Sequence, residues 1–133
     1  MPDYWYDHVH LSSPDPLTTA QFYESMFNAE RVSTKALADG RVTNVELRLG
    51  GSRILVKQGP AHLEPAPTSS AATDGLEHFG IRTDNLDIAM ADLKAKGVQF
   101  RDEIREIRPG VRVAFLWAPE NVLVELLEVS TKS

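Results

Sequence analysis

Two histidines and one glutamate hold most of the chemistry this sequence offers. His8 sits in DHVHL, His78 in EHFGI, and Glu125 is the acid inside the apolar run VLVELLEV. Two neutral imidazoles and one carboxylate form a ligand set for Fe, Mn, Co, Ni or Zn. The set leaves coordination positions open for water or substrate. The chain has no cysteine, so thiolate metal sites and disulfides are excluded and any metal must be held by histidine and carboxylate. His10 is two residues from His8 and shares its strand face, as a substrate contact or as a partner to a ligand. His62 falls among prolines and small residues and is given no role.

The elements that must position these residues can be read from periodicity and turn chemistry. Residues 7–11 alternate and predict a strand. Asp15 can cap a helix that starts at Pro16, where the missing N–H costs nothing, and Leu17, Ala20, Phe22, Tyr23 and Phe27 give that helix an apolar face. Strands are expected at 31–37, 42–49 and 53–57, with turns at Asp39-Gly40 and Gly50-Gly51. Residues 59–74 contain three prolines and many small residues and read as a linker or loop. The plan then repeats. A strand is expected at 77–82, a helix capped at Asp84-Asn85 and ending at Gly97, a strand within 98–107, and strands at 111–117 and 122–129.

A single shift of 70 residues overlays the halves. It carries His8 onto His78, Leu11 onto Ile81, Asp15 onto Asn85, Gly40 onto Gly110, and Leu55 onto Glu125. One register without a gap through every turn is taken as a duplication. The expected fold is α+β: two tandem βαβββ modules, 5–58 and 75–130, joined by the loop 59–74. Together they form one domain, 1–133, with a curved sheet cleft.

Strand alternation sorts the faces. Val9, Leu11, Val45, Leu47, Phe79, Ile81, Val124 and Leu126 should lie under the helices. The opposite face is expected to be polar in both modules. It carries His8, His10, His78 and Glu125 together with Glu46, Arg48, Arg53, Lys57 and Arg82. The four cations suggest an anionic substrate such as a carboxylate or a CoA ester, and Glu46 or Glu125 could move a proton. The net charge of −5 and the lack of a basic cluster argue against nucleic acid. No apolar run is long enough to span a membrane. The first residues lack the pattern of a signal peptide, so a cytoplasmic protein is expected.

Three segments carry a resemblance: DHVHLSSPDPLTTAQFYESMF, GLEHFGIRTDNLDIAMADLKAKGVQF and RVAFLWAPENVLVELLEV. Together they make the chain resemble the vicinal-oxygen-chelate superfamily. This group includes glyoxalase I, methylmalonyl-CoA epimerase, extradiol dioxygenases, and the fosfomycin and bleomycin resistance proteins. The second and third segments look most like the epimerases. The resemblance implies a glyoxalase-like fold, one divalent metal held by His8, His78 and Glu125, and pairing as a homodimer. In glyoxalase and epimerase a fourth ligand, glutamate or glutamine, stands where this chain has Leu55, which cannot bind metal. Lys57 on the same face would ligate only if deprotonated. The turn APEN also departs from the family's DPDGN-like form.

Three functions follow from the resemblance. The first is a metal-dependent isomerase or lyase, working by proton transfer next to a carbonyl of a small anionic molecule that chelates the ion. The second is an Fe(II) extradiol-type dioxygenase, consistent with three ligands. The third is a non-catalytic drug-binding protein that takes a flat ligand between aromatic residues such as Phe115 and Trp117.

Overall fold

The computed structural model describes residue 3 and residues 6–59 and 75–130. His62 and all of the expected linker beyond residue 59 lie outside the described residues. The chain divides into two compact units, residues 1–64 and 65–133. Each contains one four-stranded mixed sheet and one helix, and the two follow the same βαβββ plan.

In the first unit the elements are β1 (His8–Ser13), α1 (Pro16–Phe27), β2 (Glu30–Ala36), β3 (Val42–Leu49) and β4 (Ser52–Gln58). The sheet order is β1-β4-β3-β2, with β1 parallel to β4 and the other pairs antiparallel. Asp15 caps α1 by accepting the Thr18 N–H at 3.2 Å, and Pro16 is its first residue. The helix lies on β1, β3 and β4. Ala20 and Tyr23 are buried, as are Leu11, Val45, Leu47, Ile54 and Val56 of the sheet. The edge strand β2 is exposed along its length and interrupted by two register shifts.

In the second unit β5 (Phe79–Arg82), α2 (Leu86–Ala95), β6 (Arg105–Arg108), β7 (Val111–Ala118) and β8 (Val122–Val129) form the order β5-β8-β7-β6. Asn85 caps α2 by accepting the Ile88 N–H. Leu86, Met90 and Leu93 are buried, along with Ala114, Leu116, Val124 and Leu126 of the sheet. Phe100 makes a single bridge to Leu116 before β6 begins. The strand expected within 98–107 is therefore broken in two. No helix among the described residues is long and apolar enough to cross a membrane.

Two expectations need correction. The first is the single shift of 70. It holds for β1 with β5 and for β4 with β8: His10 faces Leu55 as Gly80 faces Glu125. It fails for β3 with β7. Glu46 faces Leu55, while Phe115 faces Glu125, so these strands match at a shift of 69. The cause is the second hairpin. Leu49 pairs with Ser52 across a two-residue turn, whereas Ala118 pairs with Val122 across three residues, Pro119–Asn121. The extra residue slips β7 by one position. Since side chains alternate with period two, the slip exchanges the faces that a strict overlay would assign.

The second correction concerns the polar face. In the first unit it is a grid of polar side chains around one apolar residue. Leu55 has His10 and Glu46 as cross-strand neighbours, and Arg53 and Lys57 before and after it on the same face of β4. In the second unit the corresponding face is apolar. Val113, Phe115 and Leu123 form a buried cluster with Trp117 and Leu127 packed against it. Glu125 stands among them, with Arg82 exposed at the end of β5. The duplication has inverted the pattern, giving an apolar centre in a polar field and an acidic centre in an apolar one.

Candidate functional site

His78 immediately precedes β5, and Glu125 is in the middle of β8, the strand parallel to it. Their side chains meet, with His78 Nε2 3.8 Å from Glu125 Oε1. The neighbour of Glu125 on β5 is Gly80, and a Cβ there would lie 3.5 Å from Glu125 Oε1. The missing side chain leaves room beside the carboxylate. On the other flank the Phe115 ring meets His78 edge-on at 5.0 Å. The guanidinium of Arg101 lies over the same ring, 4.4 Å from its centroid, and so joins this face as a cation–π partner. Asp102 accepts the Phe115 N–H at 3.0 Å and fixes the segment that carries Arg101.

The other nitrogen of His78 is occupied. Its Nδ1 is 3.1 Å from Glu77 Oε1. The first unit repeats the device, with His8 Nδ1 2.6 Å from Asp7 Oδ2. An imidazole that donates from Nδ1 to a carboxylate keeps its Nε2 lone pair available, and this is the usual support of a metal-binding histidine. Sequence reasoning missed Asp7 and Glu77, although the shift of 70 carries one onto the other.

Asp7 also accepts Arg53 at 3.0 Å, and Arg53 donates from Nε to Glu46 Oε2 at 3.1 Å. The chain His8–Asp7–Arg53–Glu46 therefore runs across β1, β4 and β3. The His8 hydrogen bond, followed by Arg53, holds Asp7 below the ordinary carboxylate range. His10 meets His8 edge-on, 5.9 Å between centroids. Burial above all, then the charges of Lys57 and His8, disfavours its protonation. Arg48, Lys57 and Arg82 are exposed. Phe115 is buried.

The donors near His78 suit a divalent ion. Bonds of about 2.1 Å from one ion to both donors require them to be about 3.0–3.4 Å apart, depending on coordination geometry. The observed 3.8 Å closes to that range with a small side-chain rotation. Among the described residues, no three His, Asp or Glu side chains converge within either unit. His8 belongs to the first unit, and His78 and Glu125 to the second.

The sequence model of the Glyoxalase/Bleomycin resistance protein/Dioxygenase superfamily matches residues 7–115. The chain belongs to this superfamily. Its similarity to the mitochondrial methylmalonyl-CoA epimerase of Homo sapiens is 27% identity over 125 residues, covering 90% of this chain and 71% of that protein. Among solved structures, the fold is similar to the fosfomycin resistance protein FosX from Listeria monocytogenes. The TM-score is 0.73 at 20% identity, covering 98% of this chain and 97% of that one. It is equally similar to TioX from Micromonospora sp. ML1, with TM-score 0.73 at 18% identity and coverage of 94% and 98%. These structural likenesses establish the glyoxalase-like fold of two βαβββ modules. The epimerase likeness agrees with the motifs read in the second half of the sequence. Within the chain, Leu55 stands at the position symmetric to Glu125.

Proposed function

We propose that the chain is a metal-dependent enzyme that holds one divalent ion with His8, His78 and Glu125. In this reading it acts on a small organic anion by proton transfer next to a carbonyl, as an epimerase or lyase does. The observation that carries this reading is the His78–Glu125 contact at 3.8 Å, with the far nitrogen of the imidazole held by Glu77. The same acid–histidine pair recurs at Asp7-His8. The epimerase likeness and the Listeria FosX structure, which was solved with Mn(II) and sulfate, support it further. A bound divalent ion would supply Lewis acidity, polarising a substrate oxygen and stabilising the charge that develops there.

The chain's own residues would do the rest. Glu46 is the candidate base. It is held by Arg53 through Oε2 alone, so its second oxygen can take a proton. Glu125 is the alternative, if it exchanges between metal and proton. His10, Arg48, Lys57 and Arg82 would orient the substrate's anionic group, and Phe115 would pack against its apolar part. The exposed edge strand β2, with Val32 exposed on it and Leu37 exposed just after it, leaves a sheet edge to cover, and a homodimer is part of this reading.

Metal analysis of protein purified without chelators should find about one divalent ion per chain. Glu125→Gln and His78→Ala should each lose most of it. No bound ion under any loading condition overturns the proposal. Deuterium entering the α-position of a 2-methyl acyl-CoA would identify epimerase chemistry. One observation favours a second reading. With Leu55 at the fourth position, the set has the two-histidine, one-carboxylate composition of non-haem iron oxygenases. Oxygen consumption with a catechol on the Fe(II)-loaded protein, without deuterium exchange, would select the dioxygenase.

A further inference from the structure

We infer that the first unit carries an anion pocket over Leu55, which takes the carboxylate of a short aliphatic acid or acyl group between Lys35, Asn44 and Lys57. As the place where the substrate's anionic end rests, this deepens the proposed function. As a binding site it stands without the metal.

A cavity of about 190 Å³ opens on the polar face of this unit, lined by His10, Ser33, Lys35, Asn44, Glu46 and Leu55 among others. That volume is less than the ~300–1,000 Å³ typical of a drug-sized ligand and suits a carboxylate with two or three carbons. Strand register explains the lining. In one row across the ladder, His10, Leu55, Glu46 and Ser33 are successive partners on β1, β4, β3 and β2. In the next row Lys57, Asn44 and Lys35 are partners on β4, β3 and β2; Lys35 and Asn44 line the cavity, and Lys57 stands beside it, next after Leu55 on the same face of β4. Neighbouring strands lie ~4.8 Å apart, so the row places one ammonium-bearing side chain on each side of the Asn44 amide.

The charges around the cavity are unequally matched. Glu46, the acid of the wall, is tied to Arg53, which also holds Asp7. Lys35 and Lys57 make no ion pair among the described residues. The two lysines stand on β2 and β4 with Asn44 between them, about 9.6 Å apart at the backbone, so an anion over Asn44 is attracted from both sides while the amide donates to it. The apolar floor at Leu55 favours an organic acid over an inorganic ion. The residue that removes a metal ligand thus supplies the floor of a substrate pocket.

The test is an NMR titration of the ¹⁵N-labelled full chain, stripped of metal with chelator, using sodium propionate. Saturable shifts are expected at the backbone amides of Lys35, Asn44 and Leu55. Propionamide should produce none. Lys35→Met and Lys57→Met should each weaken binding about tenfold, the size of one lost charge-assisted hydrogen bond. Leu55→Glu should abolish it by placing a carboxylate in the pocket, with the dispersion of its own spectrum reporting the fold. Lys94→Met on α2 should change nothing. The inference is overturned by any of three outcomes: no saturable shift, equal binding of propionamide, or binding undiminished in both lysine variants. Inorganic phosphate binding in preference to propionate would overturn the carboxylate assignment. A chain that binds no metal would leave this titration intact, and a chain that binds metal but not propionate would refute the pocket alone, so the two failures are distinguishable.

Discussion

Asp7 and Glu77 each make a short contact with the Nδ1 of the histidine that follows, at 2.6 and 3.1 Å. A surface acid beside a histidine contributes little to stability, because water screens it. Its value lies in tautomer control. Without the carboxylate the imidazole is free to place its proton on Nε2, the nitrogen that would otherwise bind metal. Asp7→Asn and Glu77→Gln keep the side-chain shape and remove the charge. Each is expected to weaken metal affinity by about 10–100-fold, the range found for groups that support metal ligands, while the melting temperature of the metal-free protein moves by less than 2 °C. Competition against a chromophoric chelator measures the first effect and thermal denaturation the second. Unchanged affinity in both variants would mean that the acids do not serve the histidines.

The hairpins that close the two sheets differ by one residue, and that residue decides which side chains accompany Glu125. In the first, Gly50 takes φ 59° in a two-residue turn, a conformation glycine adopts without strain. In the second, Glu120 and Asn121 take φ 64° and 58°. Asparagine tolerates the left-handed region, but glutamate there costs about 1 kcal/mol. Glu120→Gly should therefore raise stability by about 0.5 kcal/mol, the left-handed strain less the added chain entropy. Urea denaturation should show a higher midpoint at unchanged slope, and a lower midpoint would show that the loop is not strained. This hairpin also marks the limit of what the sequence alone reveals. The helix starts at Asp15-Pro16 and Asn85, the strand alternation and the turn glycines were legible, because each is a local preference written in a few residues. The slip of β7 was not. Loop length was read from a match of turn positions, and a three-residue loop with left-handed glutamate carries no signature as clear as Gly50-Gly51.

Across both units, duplication explains the repeated plan, and divergence explains why the two sheet faces differ. The candidate ligands His8, His78 and Glu125 were legible as a pattern because the shift of 70 holds for the strands that carry them. The apolar character of the second face was not. It depends on which residues of β7 join Glu125, and the slip brings Val113, Phe115 and Trp117 to that side. The charged network of the second unit lies on the opposite face. Arg112 grips Glu128 through two bonds, at 3.0 and 3.2 Å, and reaches Asp87 at 2.7 Å. Glu128 also accepts the Leu86 N–H at 2.8 Å. One guanidinium thus ties β7 and β8 to the first turn of α2. Glu128 is held below its ordinary pKa by Arg112 and then by the Leu86 N–H, and Asp87 by Arg112. A carboxyl whose folded pKa is depressed binds fewer protons folded than unfolded. Its contribution is complete above the unfolded carboxylate range, about pH 4, and is lost as pH falls through the folded value. The native chain should therefore lose stability as the solution is acidified below about pH 4.5, over the window set by these two carboxyls. Arg112→Met removes the partner. The variant should melt lower at neutral pH, and the gap between the two melting temperatures should narrow steadily through that acid window. Because the Asp87 carboxyl is open to solvent, 0.5 M salt should screen its share and narrow the gap at neutral pH as well. A gap that stays constant from neutral pH to pH 2 would show that Arg112 acts by packing its aliphatic stem rather than by charge.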